Sequence, residues 1–164
     1  MDLDQDLERL DLQEERLQFA NFDAETAWTV GTHLREAAAK RQWAVAVEIQ
    51  LNGHTVFLTT MLGTGPDNLD WIRRKRNVVQ RFERSSYAFG LQLKKEQKTL
   101  QEKFGLDERD YAPYGGCFPV RTSAGLIGTI GVSGLPDRTD HELIVEVLAE
   151  MLEVRLEEVA LAVY

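Results

Sequence analysis

WAVAVEIQLNGHTVFLTTM, residues 43–61, is the stretch of the sequence that indicates the fold class. In its first half, apolar side chains recur at every second position, which is the period of a half-buried strand. Asn52-Gly53 is a favoured pair for a two-residue type I′ turn, so the chain is expected to return at once as a second strand. We therefore predict a β-hairpin, with Val56 and Leu58 of the return strand on the same face as Ile49.

Helical periodicity flanks this hairpin on both sides, and a second apolar pair of strands follows later in the chain. Asp23 and Asp67 stand where N-caps of two helices are expected, and Gly105 stands where a helix should end. Strands joined as hairpins predict an antiparallel sheet of about five strands flanked by helices, the α+β class, rather than a doubly wound parallel sheet. The predicted helices are 2–17, 23–41, 68–84, 87–104 and 140 to about 162, and the predicted strands are 43–51, 54–61, 117–122 and 126–133.

The length and composition predict one globular domain. The chain has 164 residues, of which 43% are hydrophobic and 28% charged, and no low-complexity tract divides it. We expect a single domain over residues 1–164, with an N-terminal helix at about 2–17, a core at about 21–152 and a C-terminal helix extending to about 162. The acidic start does not resemble a signal peptide, and Cys117, the single cysteine, cannot form an internal disulfide. A cytoplasmic location is therefore expected.

Charge is distributed unevenly along the chain. The net charge is −8, yet residues 71–103 contain ten Lys and Arg against three Asp and Glu. A basic segment is typical of nucleic-acid binding, but the acidic remainder opposes general binding to phosphates. We therefore expect no nucleic acid partner. The basic segment is expected to face acidic helices of its own or a neighbouring subunit, or to line an anion-binding cleft.

Lys75 lies in the middle of a predicted apolar helix face. Helical spacing places it on one side of the third helix with Trp71, Val78 and Phe82. An unpaired ammonium there would be costly, so Lys75 must extend to water, pair with a carboxylate or meet an anionic ligand. The residues alone leave open whether it forms a structural salt bridge or serves as a cleft cation for a carboxylate or phosphate.

Glycines mark both ends of the second predicted hairpin. Gly115-Gly116 allows backbone conformations that expose amide groups to an anion, although a plain loop explains the pair equally well. From Gly125 to Gly134, glycines recur at every third residue, which indicates close helix packing, a bulge or the floor of a ligand site. Their spacing matches neither the dinucleotide fingerprint nor the phosphate-binding loop with its lysine, so those modes of nucleotide binding are not supported.

The reactive and metal-binding residue types are few and scattered. Cys117 would serve as a nucleophile only with a histidine nearby, and we expect a buried, inert thiol. His33, His54 and His141 show no metal-ligand spacing. We therefore predict no catalytic residue and no metal site.

The stretches GGCFPV at 115–120 and GTIGVSG at 128–134, followed by Asp140, together resemble motifs of the GlcG-like family, also called the haem-degrading domain family. The glycine pair and following proline of its signature correspond to GGCFPV at 115–120, and its glycine-rich strand corresponds to GTIGVSG at 128–134. Asp140 corresponds to its late aspartate, whereas relatives usually carry His at the position of Tyr114. The resemblance covers roughly residues 14–152. Further stretches similar to a cytoplasmic subgroup are PDN at 66–68, WIRRK at 71–75, RF at 81–82, SSY at 85–87, SGLP at 133–136 and DH at 140–141.

The resemblance implies a profilin-like fold that assembles into dimers or larger rings. It also implies that the helix bearing Lys75 meets the glycine-containing hairpin at a cleft near a subunit interface. The candidate ligand-binding residues are Lys75, Arg74, Gly115, Gly116, Pro119, Ser133 and Gly134.

We therefore expect a non-catalytic binding protein that takes a small anionic ligand or a partner protein as a homo-oligomer. The alternative is a haem-binding or haem-degrading enzyme, because some branches of the family bind haem; no other cofactor is indicated. The acidic face of the first helix and the basic segment 71–103 are expected to meet between copies, in a dimer or a higher even assembly. No apolar run approaches the roughly 18 residues of a membrane span, so no membrane partner is expected.

Overall fold

A four-stranded antiparallel sheet in the order β2-β1-β4-β3 forms the centre of the computed structural model, which describes residues 1–163. Helices flank it, which confirms the α+β class. Within the described residues the two hairpins supply four strands rather than about five, since no further segment pairs with an edge of the sheet. The elements in chain order are α1 (Leu3–Arg16), α2 (Ala24–Lys40), β1 (Ala46–Leu51), β2 (His54–Thr60), α3 (Pro66–Phe82), α4 (Ser86–Glu96), α5 (Leu100–Phe104), β3 (Cys117–Thr122), β4 (Gly125–Ser133), α6 (Asp137–Met151) and α7 (Leu156–Val159).

The sheet separates two layers of helices. Ile49 and Ile130, which lie opposite each other on β1 and β4, belong to the main hydrophobic core with side chains of α2 and α6. Helix α3 covers the other face, where a Cβ atom on Gly131 would lie 2.5 Å from Cγ2 of Ile72. Gly131 therefore allows close packing of a helix on the sheet, which is one of the alternatives that the glycine spacing left open.

The first hairpin has the predicted turn but a different register. Asn52-Gly53 adopts φ values of 50° and 78°, as a type I′ turn requires. A bulge beside Ile49 places this residue opposite Phe57 instead of Val56. The extra residue reverses the faces of β2 beyond it, so that Phe57 is buried while Leu58 is 51% exposed. The prediction that Leu58 shares the face of Ile49 is therefore wrong, whereas Val56 packs against the core that contains Ile49, as predicted.

Helix α3 begins two residues before the predicted position. Its N-cap is Gly65, whose N–H donates to the side-chain oxygen of Asn68 at 2.9 Å. Pro66 is the first helical residue, and its fixed φ angle suits that position. Asp67 therefore lies in the first turn and is not the cap, whereas Asp23 does cap α2 as predicted.

Residues with a left-handed backbone conformation shorten two of the predicted helices. Gln97, with φ 54°, ends α4, so the helix predicted over 87–104 is divided into α4 and α5. The final helix begins at Asp137 instead of Asp140 and ends at Met151 instead of about residue 162. Glu153 there adopts φ 55°, which an uninterrupted helix does not allow. None of the helices formed by residues 1–163 combines the length and apolar character that a membrane span requires.

The acidic helix α1 pairs with the basic segment of its own chain. Lys95 Nζ lies 2.5 Å from an Asp4 carboxylate oxygen, and Arg84 lies 2.5 Å from Asp11 and 3.8 Å from Glu14. Apolar side chains of α1 and α4 also pack together, which holds the two charged faces against each other. We expected the acidic face of α1 to meet the basic segment 71–103 between copies of the protein. These ion pairs instead form within one chain, because α1 folds back onto α4.

Candidate functional site

A cleft of about 370 Å³ opens where the N-terminal ends of α3 and α6 meet the end of β4. Three of the predicted site residues line it: Lys75 from α3, Ser133 at the end of β4, and Gly134 just after it. A Cβ atom on Gly134 would lie 2.2 Å from the carbonyl oxygen of Ala44, so only glycine allows the chain to pass this point. The structure thus brings together residues that are far apart in the sequence.

Lys75 and Asp140 form a buried ion pair beside this cleft. Lys75 Nζ lies 3.2 Å from Asp140 Oδ2 and donates to the carbonyl oxygen of Val132 at 3.2 Å. The two side chains are only 4% and 2% exposed. The other carboxylate oxygen of Asp140 accepts the N–H of Leu135 at 3.0 Å. Lys75 therefore forms a structural salt bridge and also lines the cleft, so the two interpretations of this residue are compatible.

Burial dominates the electrostatics of this pair. It raises the pKa of Asp140 from its ordinary value near 4 to about 6, although Lys75 and the N–H groups of Gly134 and Leu135 act in the opposite direction. The carboxylate is thus ionised at neutral pH but takes up a proton in mildly acidic solution. Lys75 would then lose the charge that faces it.

The glycine pair makes room for the ion pair and for α6. Gly116 has φ 125°, and a Cβ atom there would lie 2.4 Å from the Val132 carbonyl oxygen and 2.6 Å from Lys75 Nζ. A Cβ atom on Gly115 would lie 2.1 Å from the carbonyl oxygen of Asp137. Both glycines therefore lie behind the cleft wall, where the absence of a side chain leaves space for Lys75 and for the first turn of α6.

Two other predicted site residues stand outside the cleft. Pro119 is buried within β3 opposite Thr129, away from the cleft. Arg74 lies behind one wall, with its guanidinium carbon 4.3 Å from the centre of the Trp71 ring and its Nε donating to the Glu108 carbonyl oxygen. Arg74 can thus hold Trp71 in place without itself facing a ligand.

Sequence reasoning missed the aromatic and polar walls of the cleft. The rings of Trp71 and Tyr114 meet edge to face with centroids 6.2 Å apart, and Asn68 donates to the Ser133 hydroxyl at 3.2 Å. Trp71 lies on the same predicted helix face as Lys75, and Asp140 corresponds to the late aspartate of the family. Both residues could therefore have been predicted as part of the site from the sequence. Asn68 could not have been predicted in this way, because its role depends on a hydrogen bond to Ser133, 65 positions away in the sequence.

The family is shown by comparison with known proteins. The sequence profile described as "Haem degrading protein HbpS-like" matches residues 22–149. The chain belongs to this family. It is 60% identical over 162 residues to a UPF0303 protein of Azotobacter vinelandii, and the match covers 98% of each chain.

Solved structures share the fold of this HbpS-like protein. The crystal structure of the Ybr137w protein superposes with a TM-score of 0.83 at 35% identity, covering 90% of this chain and 87% of that one. A crystal structure of a PduOC:heme complex superposes with a TM-score of 0.66 at 16% identity, covering 78% of this chain and 93% of that one. The second likeness shows the fold alone.

The side chains of the cleft do not fit haem iron. Haem iron in proteins is held by His, Cys, Met or Tyr, and of these types only Tyr114 lines the described cleft. Burial raises the pKa of the Tyr114 phenol, which disfavours the phenolate needed to bind iron. Cys117 is fully buried, and burial raises its pKa to about 12. His141 is also fully buried, with Nε2 hydrogen-bonded to the Gln13 side chain.

Replacing Gly116 by alanine is expected to damage the site through crowding. Gly125 is the matched control, since it also has a positive φ (99°) but has open space around its Cα. Gly125→Ala is expected to cost about 1–3 kcal/mol from backbone strain. Gly116→Ala should lower the free energy of unfolding by about 2 kcal/mol more, because Lys75 must move away from the buried Asp140. Denaturant unfolding of both variants measures this difference, and equal losses would contradict the role given to Gly116.

Proposed function

We propose that this protein binds a small ligand with an acidic group in the Lys75 cleft, without catalysing its conversion. The observation that carries the proposal is a lysine buried beside an open cleft of about 370 Å³. An ammonium has three N–H donors, and Asp140 and Val132 use two of them. The third is available to an acidic group of the ligand.

Other groups of the cleft complement such a ligand. The hydroxyl of Ser133 accepts from Asn68, so its own hydrogen is free to be donated. Helices α3 and α6 begin at the cleft, and helix N-termini favour negative charge. Asp67 and Asp137 occupy these first turns, but both are exposed at the rim, where solvent screens them.

The walls of the cleft indicate that the ligand also has an apolar part. Trp71, Tyr114 and Leu135 provide apolar surface on several sides of Lys75. A cleft with apolar walls and a few fixed polar groups is typical of small-molecule sites. A small carboxylate with a hydrocarbon or aromatic body therefore suits the cleft better than inorganic phosphate does.

We also propose that the chain is a single cytoplasmic domain that works as a dimer or a higher even assembly. The family resemblance implies that the cleft lies near a subunit interface, which supports this proposal. At such a position a partner protein is the alternative ligand. Since the ion pairs of α1 lie within one chain, the contact between copies is expected to be less sensitive to salt than a charged interface. Light scattering at micromolar concentration should give an even multiple of 18.7 kDa, and a monomer mass would contradict the assembly.

Hexanoate is a suitable probe for the role of Lys75. Lys75→Met keeps the apolar stem but removes the cation, so hexanoate affinity should fall about 30-fold, equivalent to about 2 kcal/mol. Isothermal titration calorimetry measures this loss. Lys98→Met, which removes the same charge from the exposed segment between α4 and α5, should bind like the natural protein. Lys75→Met leaves the buried Asp140 carboxylate without its partner, which can itself destabilise the fold. The double variant Lys75→Met/Asp140→Asn removes both charges, so it tests whether hexanoate affinity is lost when no unpaired charge is buried at this position.

Two outcomes of these titrations would contradict the proposal. A Lys75→Met protein that loses stability but binds hexanoate normally would show that Lys75 only braces the fold. Saturable haem uptake with a sharp Soret band, together with no binding of hexanoate, would favour the haem-binding alternative.

Hexanoate binding is expected to depend on pH through Asp140. Above pH 6 the ionised Asp140 competes with the ligand for Lys75, and below it the protonated carboxyl no longer does. Hexanoate affinity should therefore rise as the pH falls from 8 towards 6 and then level off. The rise is at most about tenfold per pH unit, because binding is accompanied by the uptake of one proton, by Asp140. Calorimetry at pH 8, 7, 6 and 5.5 tests this. Asp140→Asn should abolish the change, and an affinity independent of pH in the natural protein would refute the competition.

A further inference from the structure

We infer that the Lys75 cleft continues past Tyr114 into a second subsite, which takes the apolar tail of an elongated acid whose acidic group lies at Lys75. This inference rests on the proposed function, since the acidic group must first be held in the cleft. It adds the class of ligand, a carboxylic acid with a chain longer than the cleft itself holds.

A second cavity adjoins the cleft on the side of α4. Its volume is about 290 Å³, and it shares Tyr114 and Asp137 with the cleft. Tyr114 is 41% exposed and thus has solvent on part of its ring. The two cavities are therefore neighbours, with Tyr114 and Asp137 at the boundary that they share.

Close contacts fix the backbone on both sides of Tyr114. A Cβ atom on Gly90 of α4 would lie 2.0 Å from the Pro113 carbonyl oxygen, and one on Gly115 would lie 2.1 Å from the Asp137 carbonyl oxygen. The main chain is thus pressed against α4 on one side and α6 on the other. Because the backbone is fixed, the side chain of Tyr114 is the part that can turn and join the two cavities.

The chemistry of the second cavity suits a hydrocarbon chain. Leu91, Pro113 and the Tyr87 ring form its walls, and burial raises the pKa of the Tyr87 phenol to about 12, so the ring is neutral. Leu91 also packs in a buried cluster with α1, which gives this wall a fixed shape. Met1 and the exposed Lys94 also line the cavity, and Nζ of Lys94 lies 3.8 Å from Sδ of Met1. An apolar tail gains from burial here, and continuity with the Lys75 cleft determines where its acidic end lies.

A chain-length series of acids tests the second subsite. Acetate, hexanoate, octanoate and decanoate are titrated into the natural protein by calorimetry, with decanol as a control that lacks the acidic group. Affinity should rise about two- to fourfold per added CH₂ once the tail passes Tyr114, since a fully buried CH₂ contributes about fourfold. Decanol should bind far more weakly than decanoate, and Lys75→Met should weaken decanoate.

Two further measurements locate the tail. Nuclear Overhauser effects are expected between the terminal methyl group of decanoate and the Leu91 methyl groups, and this readout needs no variant. Leu91→Phe fills the second cavity, so it should remove the gain from octanoate to decanoate while acetate binding stays unchanged. Thermal melting of the same preparation checks that this variant folds.

The outcomes separate the inference from the proposed function. If short acids bind through Lys75 but affinity does not rise with chain length, or if the tail contacts lie elsewhere, the second subsite is refuted and the proposed function stands. Decanoate binding that is unaffected by Lys75→Met would also refute it, because the tail would then bind independently of the cleft. If no acid of any length binds, the proposed function itself fails.

Discussion

The ion pair between Lys75 and Asp140 is the interaction on which the arrangement of this molecule depends. It joins α3, which covers one face of the sheet, to α6, which packs on the other face. Both charges are almost fully removed from water, and such a pair is tolerated only when its remaining donors and acceptors are satisfied. The carbonyl group of Val132 and the N–H of Leu135 meet this requirement from the end of β4 and the loop after it.

Several backbone features around the pair follow from the space that it needs. Gly116 has no Cβ because that atom would meet Lys75 Nζ, and Gly134 lets the loop after β4 approach the backbone of Ala44 and Val45, just before β1. The cleft forms beside the pair because two helices begin there and no side chain fills the corner between them. The buried charge of Lys75 thus lies next to an open cavity because α3 and α6, from opposite faces of the sheet, meet at the end of β4.

Local signals predicted much of this fold, and contacts between distant residues account for the errors. The alternation around Ile49 and the Asn52-Gly53 turn were enough to predict the first hairpin, but the bulge at Val56 depends on pairing that no local pattern reveals. The same limit applies to the site. The position of Lys75 on an apolar face showed that it needs a partner, yet only the folded chain identifies Asp140 as that partner. Pro119 shows the converse, since it belongs to the motif that defines the family but lies away from the cleft.

The bulge in β2 also affects what the open edge of the sheet can do. Strand β2 lies at the edge, and its sequence from His54 to Thr60 has neither a charged Lys, Arg, Asp or Glu nor a proline to discourage another strand from adding to it. The unpaired residue at Val56 interrupts the regular spacing of N–H and C=O groups along the strand. A neighbouring chain would find no continuous ladder to extend, so this irregularity guards a hydrophobic edge against uncontrolled aggregation.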